Sequence, residues 1–208
     1  MPEFQRPRRV PSFVFDALPG AHDPAESTAL AHRTAAALVS RVRADPRPPV
    51  LDRLVAFADE HGLDAVAELW SAARPCSLPG ALWRIYLLHA VAVRSAEECS
   101  YLYRRGMESA RGIDPVVAGA AVPTGPRELV ALTTLILKGL FEGDFAVALE
   151  RAAAYCRVVS VGCASLADDF DGTEPERSSR LTRRGLRYHT ISEDLTGCAA
   201  LWRQGALE

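Results

Sequence analysis

The apolar positions of this 208-residue chain recur at steps of three and four, and almost nowhere at alternate positions. That is the period of helices with one face turned to a core, and it lacks the two-residue alternation of half-buried strands. The expected fold class is therefore all-α: a single bundle-like domain of about eight helices over 23–208 behind an arm at 1–22.

Start and stop signals divide the domain. Asp23 and Pro24 open a first helix that runs to about Ala44 and stops before "DPRPP". A second spans about 49–62, and a third, 64–73, carries Val66, Leu69, Trp70 and Ala73 on one face. Ser77 caps a fourth that runs to about Arg94, and a fifth covers about 96–111. Residues 112–124 read as a loop or short turn, and "TGPRE" opens a sixth helix that ends near Gly143. Asp144 caps a seventh, "DGTEPE" at 171–176 breaks it, and an eighth runs to about Trp202. The segment 82–93 is apolar all round except for Arg84 and His89, which marks it as the central helix.

The seventh helix carries Phe145, Leu149, Ala152, Cys156, Val159, Cys163, Leu166 and Phe170 at alternating steps of four and three, a heptad seam. The last helix answers with Leu181, Gly185, Tyr188, Ser192, Leu195, Ala199 and Trp202. Segments 144–170 and 176–203 should pack as an antiparallel hairpin, with Cys163 opposite Gly185, Cys156 opposite Ile191 or Ser192, and Phe145 near Trp202. Gly162, Gly185 and Ala152 should let the two axes approach closely.

Cys156 and Cys163 lie seven residues apart on that seam. Seven residues of helix rise about 10.5 Å, and a disulfide needs Cα atoms within about 6.8 Å. The two cannot bond to each other, and the facing seam offers no further metal ligand. Both are expected to be buried, reduced packing residues.

Composition narrows the function classes. The formal net charge is -2, so nothing global points to nucleic acid or an acidic membrane. Lys138 is the sole lysine among 24 basic residues, a bias of GC-rich coding that weakens arguments from arginine counts. Five cysteines at irregular spacing without CxxC suggest a reduced, cytoplasmic protein. No signal peptide or membrane-length apolar run is present. The arm carries Phe4, Phe13 and Phe15 between Pro2, Pro7, Pro11 and Pro19, and is expected to lie across its own domain or to clasp a second chain.

Candidate chemistry is thin. "ADDFDG" at 167–172 falls short of a calcium loop, because Ala167 and Ser178 occupy ligand positions. Its acids are expected to cap a helix end and pair with the arginines after the turn. "DDFD" resembles the aspartate-rich motif of prenyl-diphosphate enzymes, but Gly172 stands where a third acid is needed. Glu-x-x-His, phosphate loops, HExxH and GxSxG are absent. No cofactor, metal or catalytic set is expected; Glu150 or His89 would be the base of any enzyme reading.

Two constellations remain. Trp83, Tyr86, His89 and Arg184 are candidate small-molecule or anion ligands, although His89 also reads as a satisfied core residue. Arg184 lies on the seam side, where it either snorkels or forms a carboxylate or anion site. Arg177, Arg180, Arg184 and Arg187 form a stripe with Arg183 beside it, placed to touch phosphate or nucleic acid. The near-neutral charge favours a solvated or ion-paired face.

"LPGALWRIYLLHAV", "GDFAVALERAAAYCRVV" and "ALWRQGALE" resemble a family of small all-helical actinobacterial proteins over about 78–208. The resemblance implies a helical fold and carries no activity, cofactor or site residue. The leading functional expectation is a non-enzymatic helical interaction or scaffold protein that self-associates as a homodimer. The alternatives are a binding module near His89 and Arg184, and a nucleic-acid regulator using the arginine stripe.

Overall fold

A computed structural model describes residues 24–44, 69–109 and 125–208, and all six of their long elements are helices. These are α1 (Pro24–Ala44), α2 (Leu78–Arg94), α3 (Ala96–Ser109), α4 (Pro126–Glu142), α5 (Phe145–Phe170) and α6 (Pro175–Arg203). A helical turn at 69–71 is all that is described of the expected third helix. The count among described residues is thus seven, against about eight expected. The arm with its three phenylalanines, the Asp23 cap, the helix at 49–62 and the 112–124 loop lie outside the described residues.

The helix boundaries follow from local chemistry. Ser77 accepts the Gly80 N–H at 3.2 Å and opens α2, with Pro79 tolerated in the first turn because its missing donor has no partner there. Asp144 Oδ1 accepts from Ala146 N at 2.8 Å and Val147 N at 3.2 Å and opens α5. α6 ends in a Schellman arrangement: Gly205 is left-handed at φ 68°, Gly205 N bonds Trp202 O, and Ala206 N bonds Leu201 O. The chain then turns back, buries Leu207, and places Glu208 O 2.7 Å from the Leu78 N–H, an orphan donor at the start of α2.

α5 and α6 form the antiparallel hairpin. Phe145, Leu149, Ala152, Cys156, Val159 and Cys163 are fully buried, and Leu181, Gly185, Tyr188, Ser192, Leu195 and Ala199 are buried opposite. The Phe145 and Trp202 rings stack with centroids 4.2 Å apart at one end. At the other, the Arg177 guanidinium lies 3.8 Å from the Phe170 ring centre. A Cβ on Gly185 would sit 3.1 Å from the Cys163 Cβ, and Ser160 Oγ donates to the Gly185 carbonyl at 2.8 Å.

Gly162 does not serve this hairpin as expected. It faces α3, where a Cβ would overlap the Leu102 carbonyl oxygen and come within 2.9 Å of the Gly106 N. Gly106 reciprocates: a Cβ there would overlap the Val158 carbonyl oxygen. Two glycines thus bring the α3 and α5 backbones together, close enough for Cα–H to reach carbonyl oxygen.

The central helix is α5, not the 82–93 segment. α5 buries residues on several faces, including Ala146, Ala148, Ala153, Ala154, Tyr155, Val158 and Ala167 beside the seam. α2 buries Leu78, Leu82, Ile85, Leu88 and Ala92 but leaves Leu87 36% and Val93 54% exposed. Apolar composition all round signalled a buried helix, whereas one face of α2 is open. α1 contributes Ala31, Ala35 and Val39 to the same core, and Trp70 Nε1 donates to its Thr34 Oγ1 at 3.1 Å.

The glycine contacts generate a graded prediction. Gly162→Ala and Gly106→Ala force two backbones apart and should each cost about 1–3 kcal/mol, as overpacking does. Gly185→Ala, facing a side chain, should cost less, and Gly172→Ala, with nothing within 4 Å, should be silent. Urea unfolding of the four variants measures the order; equal stabilities at Gly162 and Gly172 would refute it.

Candidate functional site

Among the described residues, a groove with a mixed apolar and cationic lining runs between α2 and α6. Leu87, Leu88, Val91, Tyr188 and Ile191 supply its apolar surface, and Arg180, Arg183, Arg184 and Arg187 its cations, around about 570 Å³. No acidic residue lines it. On α6 the residues recur at 180, 183, 184, 187, 188 and 191, a single helical face. Leu88 and Tyr188 are buried and form the floor, while Leu87 stands at the rim. One flank is tied by Arg84 of α2, whose Nε and Nη2 reach Asp194 Oδ2 at 3.1 and 3.0 Å.

Arg184 is set differently from its neighbours. Its Nη1 donates to Glu98 Oε1 of α3, and its Nη2 approaches Cys99 Sγ. Burial pulls its pKa down, but Tyr188 and the Glu98 carboxylate outweigh that and hold the guanidinium firmly charged. The carboxylate-pairing alternative for Arg184, rather than snorkelling, is the arrangement found. Behind it, Tyr188 meets Tyr155 edge-on at 6.5 Å, and Tyr155 stacks on Tyr103 at 5.7 Å. Burial raises the pKa of all three phenols, so they stay neutral donors beside the charged arginine.

The other arginines of the stripe diverge. Arg177 is spent on Glu174, at 3.3 Å, and on the Phe170 ring. Arg183 Nε donates to its own helix at Ser179 O, 3.2 Å away. Among the described residues, Arg180 and Arg187 have no ion-pair partner. Of the acids expected to pair with the stripe, Asp169 at the end of α5 pairs instead with Arg105 of α3. The reason is geometric, since Asp169 points toward α3, where Arg105 also bonds Ser165 Oγ at 3.0 Å. Arg180 also lines a second cavity, of about 370 Å³, with Glu98, Tyr101, Leu102, Leu166, Leu181 and the flanking arginines.

The four expected ligand residues do not converge on one cavity. His89 faces α4, with Nδ1 3.3 Å from Thr133 Oγ1, beside a void of about 10 Å³ shared with Ile85, Ile136, Ala152 and Tyr155. That space suits about one water at most. Trp83 and Tyr86 lie against each other, ring centroids 6.0 Å apart. Only Arg184 belongs to the groove. Glu150 is held by Arg203 through a two-pronged pair at 2.6 and 2.9 Å, and that bond keeps its carboxyl below the ordinary range, which suits a structural anion better than a base. Among the described residues, no three His, Cys, Asp or Glu side chains are grouped as a metal site requires, and no helix is long and apolar enough to cross a membrane.

The apolar wall of the groove was not foreseen, although α2 carried a signal: Leu87 and Val91 are more apolar surface than a partly packed helix can bury. Comparison with protein-family models, curated proteins and solved structures gave no match to the chain, so none of them bears on the actinobacterial likeness or on function.

The cysteines divide sharply. Cys99, Cys156, Cys163 and Cys198 are buried, and Cys76 is exposed. Burial pushes the Cys163 thiol up to about 11 and raises Cys156 further. A thiol reagent should therefore label Cys76 alone in the folded protein and all five cysteines after unfolding. Rapid native labelling of Cys156 or Cys163, read by peptide mass spectrometry, would contradict the hairpin seam.

Proposed function

We propose that this chain is a non-catalytic binding protein that holds an amphipathic anion in the groove between α2 and α6. The observation that carries the reading is the composition of the groove: an apolar wall and four arginines, with no carboxylate among the lining residues. Its volume lies in the range of small-molecule sites. The anionic head would take Arg180, Arg183 and Arg187, charge-assisted bonds that a neutral group cannot make. The apolar body would cover Leu87, Leu88, Val91 and Ile191. Arg184, already paired with Glu98, supports the floor and leaves the outer arginines to the ligand.

The competing expectations fit less well. Exposed large apolar side chains, Leu30, Leu87, Val93, Tyr101, Leu135 and Leu186, are spread over five helices, which gives self-association no single apolar face among the described residues. Nucleic-acid binding needs a continuous basic track, and Arg177 is withdrawn from it by Glu174 and Phe170.

Titration calorimetry with simple probes tests the reading. Decanoate should bind about tenfold more tightly than octanoate, because each buried methylene contributes about 0.8 kcal/mol. Octanol, without the charge, and propionate, without the chain, should bind far more weakly. Arg180→Ala combined with Arg187→Ala should weaken decanoate at least about tenfold, while Arg177→Ala should not. Equal binding of octanoate and octanol, or undiminished affinity in the double variant, would overturn the proposal.

A further inference from the structure

A second feature lies at the far end of α6, independent of the groove. The segment between the 69–71 turn and α2 crosses the last turns of α6, and two thiols meet there. Cys76 Sγ lies 3.9 Å from the Asp194 carbonyl on α6, and Cys198 Sγ lies 3.5 Å from the Pro75 carbonyl on the crossing segment. Each thiol thus reaches the backbone beside the other. The Cys76 sulfur is also 3.5 Å from where a Cβ on Gly197 would stand, an ordinary contact distance, so it rests against the face of α6 next to Cys198.

The pair is asymmetric. Cys76 is exposed and Cys198 is buried. Burial pushes the Cys198 thiol up to about 12, which leaves it protonated and out of contact with dissolved oxidants. Fixed structure surrounds the pair: Arg84 holds Asp194, and the Leu78 N–H is bonded to Glu208 O.

We propose that Cys76 and Cys198 are an oxidisable pair that closes into an intramolecular disulfide when the protein meets hydrogen peroxide. The Cys76 thiolate attacks one peroxide oxygen; an S–O bond forms, the O–O bond breaks, and the second oxygen leaves as water after taking a proton. Cys76 is then a sulfenic acid. The Cys198 sulfur attacks Cys76 Sγ, the S–O bond breaks, and the hydroxyl departs with the Cys198 proton as a second water. Peroxide is reduced to two waters and two thiols are oxidised to one disulfide. The bond joins the segment before α2 to the end of α6 across more than a hundred residues, a long loop of the kind whose closure raises stability most.

The test is a peroxide pulse on the folded full-length chain, followed by denaturing alkylation and peptide mass mapping without reductant. The expected result is one cross-linked species joining the Cys76 and Cys198 peptides, a loss of two hydrogens from the intact mass, and reversal by dithiothreitol. The oxidised protein should melt about 5–10 °C higher than the reduced one. Cys76→Ser should abolish the cross-link and leave Cys198 alkylatable. Cys198→Ala should let the Cys76 sulfenic acid accumulate, trapped by dimedone. Wild-type Cys76 that proceeds to sulfinic acid, or that cross-links to a second chain in place of Cys198, would overturn the proposal.

Discussion

The close approach of α3 and α6 to α5 is the constraint on which the rest of the structure depends. Gly162 and Gly106 bring α3 onto one side of α5, and Gly185 brings α6 onto another. At Gly162 and Gly106 nothing larger than a hydrogen atom fits, so α3 is placed main chain against main chain, while at Gly185 a Cβ would press 3.1 Å from the Cys163 Cβ and α6 is placed more tightly than ordinary packing allows. Close-packed interiors transmit such restrictions. With α6 held by its seam, its outward face is decided as well, and that face carries Arg180, Arg183 and Arg187.

The groove is what the core leaves over. α2 packs Leu82, Ile85 and Ala92 inward and ties itself to α6 through Arg84 and Asp194, but Leu87 and Val91 face an opening. Arg184 links the two sides of α6: it belongs to the groove, yet Glu98 fixes it from behind. A half-buried guanidinium with a paired carboxylate is satisfied, and no buried side-chain nitrogen or oxygen among the described residues lacks a partner. The arginines that face solvent are those without such a partner, which is why ligand binding is assigned to them.

Much of the helical framework was legible in the sequence because it rests on short-range chemistry. Ser77 and Asp144 accept from donors within a turn, and Pro126 brings no donor to a first turn that has no partner for one, so these helix starts can be read from a few residues. The heptad seam was legible because it is periodic, and register then places Cys163 on Gly185 and Phe145 on Trp202. Periodicity names one face at a time, however. α5 has two further buried faces, and nothing in the spacing of Gly162 says that it meets α3 instead of α6. The same limit hid the Asp169–Arg105 pair, the Arg184–Glu98 pair and the meeting of Cys76 with Cys198, each of which joins positions far apart in the chain. His89, Trp83 and Tyr86 were grouped with Arg184 by chemical type, and only the packing of α4 against α2 shows that His89 is turned to Thr133.

Amide hydrogen exchange, followed residue by residue with and without decanoate, tests the account most directly. If α5 organises the fold, its amides from Ala152 to Cys163 exchange most slowly, through global unfolding alone. Decanoate should then add protection along the groove, at 87–91 of α2 and 180–191 of α6. Slowest exchange in α2, or protection by decanoate confined to other helices, would contradict it.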